Sequence, residues 1–543
     1  MLKYRHENIF SKGDVHSMKF KQKLAFLLIF AIAVVPLFVT GCVNGPNDDI
    51  HKIEKASELP PSFNGEQKNL NGLRFTVLTK QDRSATQAFN VVDLVVEDNL
   101  GDSAIVAAVS ERNTRLQTNF NVTIERITNT DPNTEASNAI MRRDDSYSAF
   151  MLTVQQSLNL ALNGALVDFY NDVDYIDLEA DWWDSAIISN LLLYDGAYLA
   201  LGDINTVDDD CTWLVLFNKN LYTEETGNLP TVLYDVVKSG DNQVGGWTLE
   251  YLQNLASTYY RPDPNNANKY DPDYAGTGTY SVYLQDEVAT VLLQASGNTP
   301  TVLDDRSAAG IRDNISGNDA FFSAFETVYN FMGGSDKGQW LLNMNDVTAS
   351  TSGEDIWETI ARGTFKADRT MFYICHAGTI NLVRDMDSEF GILPIPKLSD
   401  QQMNYGNTIQ YNNASCYVVP SRSYSDPEAD DNAAYVLEAM AYMSSSEYAN
   451  AVSPDNDISL KYAYRETVLK RKATRDDESM EMLDLIFDNR IFDLACALDI
   501  NGINEVIMTN ATSTSSHNFA SSYESLPDME TELIKLFENL SRR

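Results

Sequence analysis

Apolar and polar positions divide the chain into short elements joined by polar loops. Leu73-Arg74-Phe75-Thr76-Val77-Leu78 has the run of a buried strand, followed by a polar loop over Thr79 to Gln87. Ser103 to Thr118 has helical spacing, with Ile105, Ala108, Val109 and Leu116 on one face. A second strand is expected over 121–127, a third over 147–154, and a helix over 155–163. This succession predicts an α/β sheet. In open α/β sheets ligands sit in the crevice at the carboxyl ends of strands, and the loop from Thr79 to Arg83, with Gln81 and Asp82, is such an end.

A second block begins near Cys211. Trp213 to Asn218 reads as a strand, and Thr248 to Tyr259 as an amphipathic helix with Thr248 as N-cap and Leu249, Leu252 and Leu255 on its face. Phe321 to Phe331 reads as a helix. Short strands are expected over 370–375, 390–394 and 415–419. Helices are expected over 432–443, 478–488 and 528–540, so the last third is mainly helical. No internal repeat is visible.

The N-terminal pattern belongs to targeting rather than to the fold. Lys19, Lys21 and Lys23 precede a charge-free run from Leu24 to Val39. That run is roughly 16 residues, shorter than the ~20 a spanning helix needs. It ends in Val39-Thr40-Gly41-Cys42, which resembles the bacterial lipobox, where the cysteine is diacylated and becomes the mature N-terminus. Two acyl chains suffice for stable anchoring. Met18 stands just before the basic residues and is an alternative start. Residues 1–41 are therefore expected to be a lipoprotein signal peptide. The polar stretch 42–64 is expected to be a flexible tether from membrane to domain. The remaining length suggests two lobes.

Charge narrows the partners. There are 40 Lys+Arg against 78 Asp+Glu, a formal net charge of −38. Nucleic acid is disfavoured, because phosphate neutralisation needs basic patches. Of five cysteines, Cys211, Cys375, Cys416 and Cys496 remain after Cys42, widely spaced and without C-x-x-C, and buried thiols are expected. Asp263 to Asp273 has the oxygen-rich spacing of a calcium loop, but Ala267 interrupts it and no Glu closes it, so a polar turn is expected and no metal.

Catalytic signatures are absent: no H-E-x-x-H, G-x-S-x-G, Walker A loop or G-x-G-x-x-G. Outside leader and tether the histidines are His376 and His517. A glycosidase would need two carboxylates converging across a bond, with Asp203 and Asp210 as a candidate pair. More telling are aromatics beside polar residues, as in Asp181-Trp182-Trp183-Asp184 and Asp208-Asp209-Asp210-Cys211-Thr212-Trp213. Sugar sites combine flat aromatic faces with carboxylates and amides.

One ordered series of motifs resembles a known family. Asp181-Trp182-Trp183, Gly202-Asp203, Trp213 to Lys219, Gly246-Trp247-Thr248-Leu249, Glu389 to Lys397 (the "fGilPyPK" strand and loop) and Leu469 to Ser479 resemble the family 1 extracellular solute-binding proteins of Gram-positive ABC importers. The resemblance spans roughly residues 70 to 500. Tyr147-Ser148 departs from the family's Tyr-Asp, and the interrupted turn at Ala267 is a second departure.

The resemblance implies a two-lobe periplasmic-binding-protein-like fold of type II, α/β, with the solute in a cleft between lobes and a helical C-terminal region. It places 65–205 and 366–410 in lobe 1, and 206–365 and 411–543 in lobe 2. Crossings are expected near 203–212, 363–369 and 405–415. The implied ligand-binding residues are Gln81, Asp82, Trp183, Asp203, Asp209, Asp210, Trp213, His376, Tyr405, Tyr411 and Asn412. The implied activity is capture of a small solute, a sugar or oligosaccharide, for the permease subunits of an ABC importer. It would act as a monomer on the outer face of the cell membrane, held by the lipid on Cys42, with no cofactor and no catalysis. The competing classes are a secreted carbohydrate-active enzyme, a peptide-binding protein of the same fold, and a surface adhesin; within the solute-binding class an amino-sugar conjugate is a further alternative solute.

Overall fold

The computed structural model describes residues 59–541 apart from 83–88, 97–101, 262–279, 305–309, 335–339, 346–355, 423–425, 454–457 and 475. The described residues all belong to one compact unit, Ala56–Arg543. Cys42, the leader, most of the tether and the turn Asp263–Asp273 lie outside them.

Among the described residues eleven strands follow in chain order: β1 (Leu73–Lys80), β2 (Val122–Asn129), β3 (Ala149–Thr153), β4 (Trp213–Asn218), β5 (Tyr280–Leu284), β6 (Thr301–Leu303), β7 (Ile311–Asp313), β8 (Leu341–Asn343), β9 (Thr370–His376), β10 (Phe390–Leu393) and β11 (Ser415–Val418). They form two main sheets, ordered β11-β3-β1-β2 and β10-β4-β9-β5-β8, and the small pair β6-β7. Each main sheet has its own helices, which gives the two-lobe α/β architecture expected from the sequence.

In the first sheet β1 runs parallel to both β2 and β3, while β11 returns antiparallel to β3. Its central strand is apolar because helices cover it: Phe75, Val77 and Leu78 are fully buried. The helix Ser103–Phe120 joins β1 to β2. Asp102 caps it by accepting from the Ala104 amide, and Asn121 closes it in the left-handed region. Its buried face holds the expected Ile105, Ala108, Val109 and Leu116, and also Arg112. The helix Pro132–Arg142 was not legible from pattern.

In the second sheet every residue of β4 is buried. Here β10 and β9 flank β4 antiparallel, and β5 is parallel to β9 and β8. The motifs that carry the family resemblance interlock around this sheet. Trp247 Nε1 donates to the Pro394 carbonyl at 3.0 Å. Lys397 Nζ, buried beneath the loop, donates to the carbonyls of Gln243 at 2.7 Å and Met403 at 2.9 Å. Asn218 caps the next helix through the Leu221 amide at 2.9 Å, and Lys219 pairs with Asp476 at 2.6 Å. Ser479 Oγ accepts from the Ile392 amide at 3.2 Å. Gly246 is required here: at φ +89° a Cβ would lie 2.6 Å from Gly240 Cα.

The expected lobe boundaries are corrected by strand pairing. Residues 366–410 were assigned to lobe 1, yet β9 and β10 pair with β4 in the second sheet. Residues 411–543 were assigned to lobe 2, yet β11 pairs with β3, and the helix Pro427–Ser444 packs on Ser103–Phe120. Later helices touch both lobes. Leu494–Leu498 and Met529–Ser541 contact the helix Val154–Leu162, and Ile503–Ala511 contacts Val288–Ala295. The expectation of a helical last third holds, with the helix at 427 beginning five residues before the expected start because Asp426 and Pro427 cap and open it.

Candidate functional site

The chain passes from the first sheet to β4 through 203–212, and from β10 to β11 through 394–414. These two crossings pair with each other. Thr212 bridges Ile409 antiparallel, the Trp213 amide donates to the Thr408 carbonyl at 2.9 Å, and the Gln410 amide to the Cys211 carbonyl at 3.0 Å. The third expected crossing, near 363–369, is not one: it joins β8 to β9 within the second sheet.

Beside the paired crossings lies a chamber of about 260 Å³. Gln155 enters from the end of β3 and Trp213 from the start of β4. Glu287, Thr290, Val291 and Gln294 come from the helix Val288–Ala295 and the residue before it. Ile409 to Asn412 come from the second crossing, and Cys496, Asp499, Asn504 and Met508 from the C-terminal helices. Gln155 follows β3 at its carboxyl end, which is where open α/β sheets place ligands.

The walls are polar and largely fixed. Tyr411 donates its hydroxyl to Gln294 Oε1 at 2.8 Å and accepts from the Asp493 amide at 2.9 Å. Burial pushes this phenol well above its ordinary value, so it stays a neutral donor. Gln410 Nε2 donates to Glu287 Oε1 at 3.2 Å. Asn504 Nδ2 donates to the Cys496 carbonyl at 2.8 Å, while its Oδ1 is buried without a hydrogen-bond partner. Asp499, at φ +51°, closes the helix Leu494–Leu498 and accepts from the Asn504 amide at 3.0 Å. All four described cysteines are buried and unbridged, as the sequence led us to expect.

Trp213 supplies the aromatic wall. It is 1% exposed, and its ring lies 4.0 Å from that of His376 at 47°. Burial pushes His376 down to about 3, which keeps the imidazole neutral. Phe89 meets that imidazole edge-on at 5.2 Å. The indole is thus backed by a neutral aromatic stack and needs no charge to hold its orientation.

The structure brings together Trp213, Tyr411 and Asn412 of the expected residues, with His376 behind Trp213. The others stand elsewhere. Trp183 is core, its Nε1 donating to Glu438 Oε2 at 2.8 Å beneath the helix Pro427–Ser444. Tyr405 is core of the second lobe, accepting from the Trp247 amide at 2.9 Å and donating to the Val237 carbonyl at 3.1 Å. Asp82 is taken by Arg126 at 2.5 Å and the Val91 amide at 2.8 Å, and Gln81 is exposed beside it.

Asp203, Asp209 and Asp210 belong to an ion-pair lattice rather than to the chamber wall. Asp209, fully buried, meets Arg465 at 2.6 Å, Arg490 at 3.2 Å and Lys461 at 3.3 Å. Lys461 also reaches Asp203 at 3.5 Å, Arg490 also pairs with Asp184, and Tyr464 donates its hydroxyl to Asp210. The first crossing is thereby tied to the helix Tyr462–Ala473. An Asp203–Asp210 acid–base pair does not fit, because both carboxylates already have partners within this lattice.

The lattice carries a pH signature. Burial pushes the Asp210 carboxyl up to about 7, with the neighbouring aspartates adding to it and the Tyr464 bond opposing it. A folded value above the unfolded one gives stability that is full below pH ~4 and lost as pH rises through about 7. Burial also works to raise Asp209, but Arg465 and Lys461 outweigh it and hold that carboxyl well below the ordinary range. Its contribution therefore runs the other way, present above pH ~4 and lost on acidification. Asp210→Asn is expected to flatten the loss of melting temperature between pH 5 and 8 relative to the parent. Parallel curves for the two proteins would show that Asp210 does not carry it.

Gln155, Glu287, Gln294, Gln410, Cys496, Asp499 and Asn504 were missed by sequence reasoning. One signal was available: Val288–Ala295 is buried on every side, so Thr290 and Gln294 are polar breaks in an all-round apolar helix.

No protein-family model and no curated protein matches the chain. Several solved structures are similar to it over most of its length at low identity. An ABC substrate-binding protein from Listeria monocytogenes in complex with cycloalternan is 13% identical, with 87% of this chain and 99% of that one covered and a TM-score of 0.47. A cyclic alpha-maltosyl-1,6-maltose binding protein from Arthrobacter globiformis is 14% identical, with 86% and 100% covered and a TM-score of 0.49. Maltose-bound MalE3 of T. maritima is 14% identical, with 86% and 98% covered and a TM-score of 0.46.

Proposed function

We propose that the protein is an extracellular, lipid-anchored solute-binding protein that captures a carbohydrate between its lobes and hands it to an ABC importer. The observation that carries this reading is the chamber beside the paired crossings, lined by Gln155 from the first lobe, by Trp213 and Gln294 from the second and by Ile409 to Asn412 from the second crossing. There Trp213 lines the same space as the amides of Gln294 and Gln410 and the hydroxyl of Tyr411. An aromatic face covers the C–H surface of a sugar ring, and side-chain amides and carboxylates bond its hydroxyls. The volume suits a small solute rather than a long polymer. A solute that touches residues of both lobes binds the closed arrangement better than the open one, and lobe closure follows from that difference. The importer recognises the closed form.

The test is a thermal-shift screen of the full-length lipoprotein in a sugar-free detergent against mono- and oligosaccharides and short peptides. A cognate sugar at 100 times its dissociation constant adds about 2.7 kcal/mol. Stabilisation by peptides alone would assign the fold to peptide capture.

One observation favours a second reading. Glu287 and Asp499 both line the chamber, and a glycosidase also uses two carboxylates. The expected outcome is that a bound sugar is recovered intact after prolonged incubation; released product would make the protein an enzyme.

The anchor rests on Val39-Thr40-Gly41-Cys42 after a charge-free run. Cys42→Ala is expected to abolish incorporation of labelled fatty acid and to release the protein or leave the precursor uncut. Normal lipid labelling of the variant would contradict the assignment.

A further inference from the structure

A contact between the lobes, beside Trp213, is held at a cost on both of its sides. Phe89 stands in the left-handed region at φ +67°. A bulky aromatic residue seldom adopts that backbone, and such strain persists only where the surroundings impose it. Here the surroundings belong to the first lobe. The Val91 amide donates to Asp82 Oδ1 at 2.8 Å, and Arg112 Nη2 donates to the carbonyls of Asp93 at 2.6 Å and Leu94 at 3.1 Å. Val91 and Leu94 are buried. From this pinned segment the Phe89 ring reaches His376, the last residue of β9 in the second sheet. On the other side of the contact, His376 Nε2 is buried without a hydrogen-bond partner. A ring nitrogen left unpaired in the interior is explained if it is paired in another arrangement of the lobes.

We propose that Phe89 and His376 form a proton-operated catch between the lobes: opening uncovers the imidazole, which then takes up a proton and opposes closure, so that mild acid loosens the grip on the solute. The catch goes beyond carbohydrate capture and rests only on the lobe closure of that reading. Trp213 is the strand partner of His376 and stays with it when the lobes part, whereas Phe89 leaves with the first lobe. In the closed arrangement burial pushes His376 down to about 3. Uncovered, an imidazole has its ordinary value of ~6.5. The closed form then binds fewer protons, so closure is full above that range and is lost by roughly tenfold per pH unit below it. Between pH 7.5 and 5.0 the ratio of open to closed protein rises about 30-fold. The charged and titratable groups of the neighbouring elements are Lys80 and Asp93 of the first lobe, Asp210 and Cys211 of the first crossing, and Arg362 and Cys375 of the second lobe. Burial, not their charge, is the cause of the shift at His376. Asp210 titrates in a neighbouring range, at about 7, and needs its own control.

The test uses no sugar, so its failure leaves carbohydrate capture standing. The full-length lipoprotein in detergent is prepared with 13C-labelled histidine, and separately with spin labels on Met141→Cys in the first lobe and Leu229→Cys in the second. Both positions are exposed, and the described native thiols are buried. The His376 signal is assigned by its loss in His376→Phe. It is expected to titrate roughly one pH unit or more below ~6.5. The distance between the labels is expected to lengthen with the same midpoint. Phe89→Gly suits the left-handed backbone and uncovers the ring, and is expected to bring the midpoint up to the ordinary range. His376→Phe keeps an aromatic ring on Trp213 and is expected to hold the short distance down to pH 5.0, while Asp210→Asn opens as the parent does. A His376 midpoint that is the same in the parent and in Phe89→Gly, a distance that does not follow it, or lengthening that persists in His376→Phe would overturn the catch. Should His376→Phe fail to fold, the comparison of the parent with Phe89→Gly decides.

Discussion

Asp209→Ala is expected to destabilise the unliganded protein by about 3–5 kcal/mol, the cost of breaking a buried ion pair by removing one partner. Asp209 has no exposure and meets Arg465, Arg490 and Lys461. Its loss leaves the Arg490 side chain, 5% exposed, with only Asp184 and the edge of Asp208. Asp208 compensates only in part: burial, the largest cause of its raised carboxyl, persists when the Asp209 charge is removed. Because the lattice ties the first crossing to the helix Tyr462–Ala473, the loss falls on the element that sets how the lobes meet. Denaturant unfolding of the parent and the variant measures it. A change below ~1 kcal/mol would show that the lattice is not what holds the crossing.

Trp213→Ala is expected to abolish detectable sugar binding and also to cost about 3–5 kcal/mol of stability, as truncation of a buried tryptophan does. The two effects need separating, since the same ring lines the chamber and packs on His376. Gln410→Ala separates them. Its side chain is half-buried, donates to Glu287 at 3.2 Å and accepts from Asn413 at 2.8 Å. The substitution removes bonds that a solute would share without opening a core cavity. Affinity is expected to fall by 1–3 kcal/mol, roughly 5- to 150-fold, with the unliganded melting temperature little changed. Loss of stability with unchanged affinity in both variants would assign Trp213 and Gln410 to packing alone.

Most of the fold could be read from pattern because its strands and helices obey local rules. β4 is apolar up to its last residue, β1 carries Phe75, Val77 and Leu78 at its buried centre, and the helix from Ser103 shows its buried stripe residue by residue. Lobe membership could not, because it depends on which distant strand pairs with which. β9 and β11 look alike in sequence, yet one joins β4 and the other β3. The motifs that carry the resemblance were legible for a physical reason: Trp247 bonds Pro394, Lys397 bonds Gln243, Lys219 pairs with Asp476 and Ser479 accepts from Ile392, all within the scaffold of the second lobe. For the same reason they say little about the solute.

The site was only partly legible. Acidic and aromatic residues beside one another drew attention to Trp183, Asp203, Asp209 and Asp210, but these satisfy each other or the core. Glutamines and asparagines that line the chamber resemble any polar surface residue until the two crossings pair. Trp213 and Tyr411 were found because each stands next to a crossing, where a large ring meets an irregular segment.

The most direct measurement is a crystal structure with the tightest-binding sugar from the screen. Density for a sugar ring against the Trp213 indole, with its polar groups on Gln410 and Glu287, is the result expected. A sugar bound elsewhere, with the space between Trp213, Gln294 and Tyr411 unoccupied, would contradict the assignment of this chamber as the site of capture.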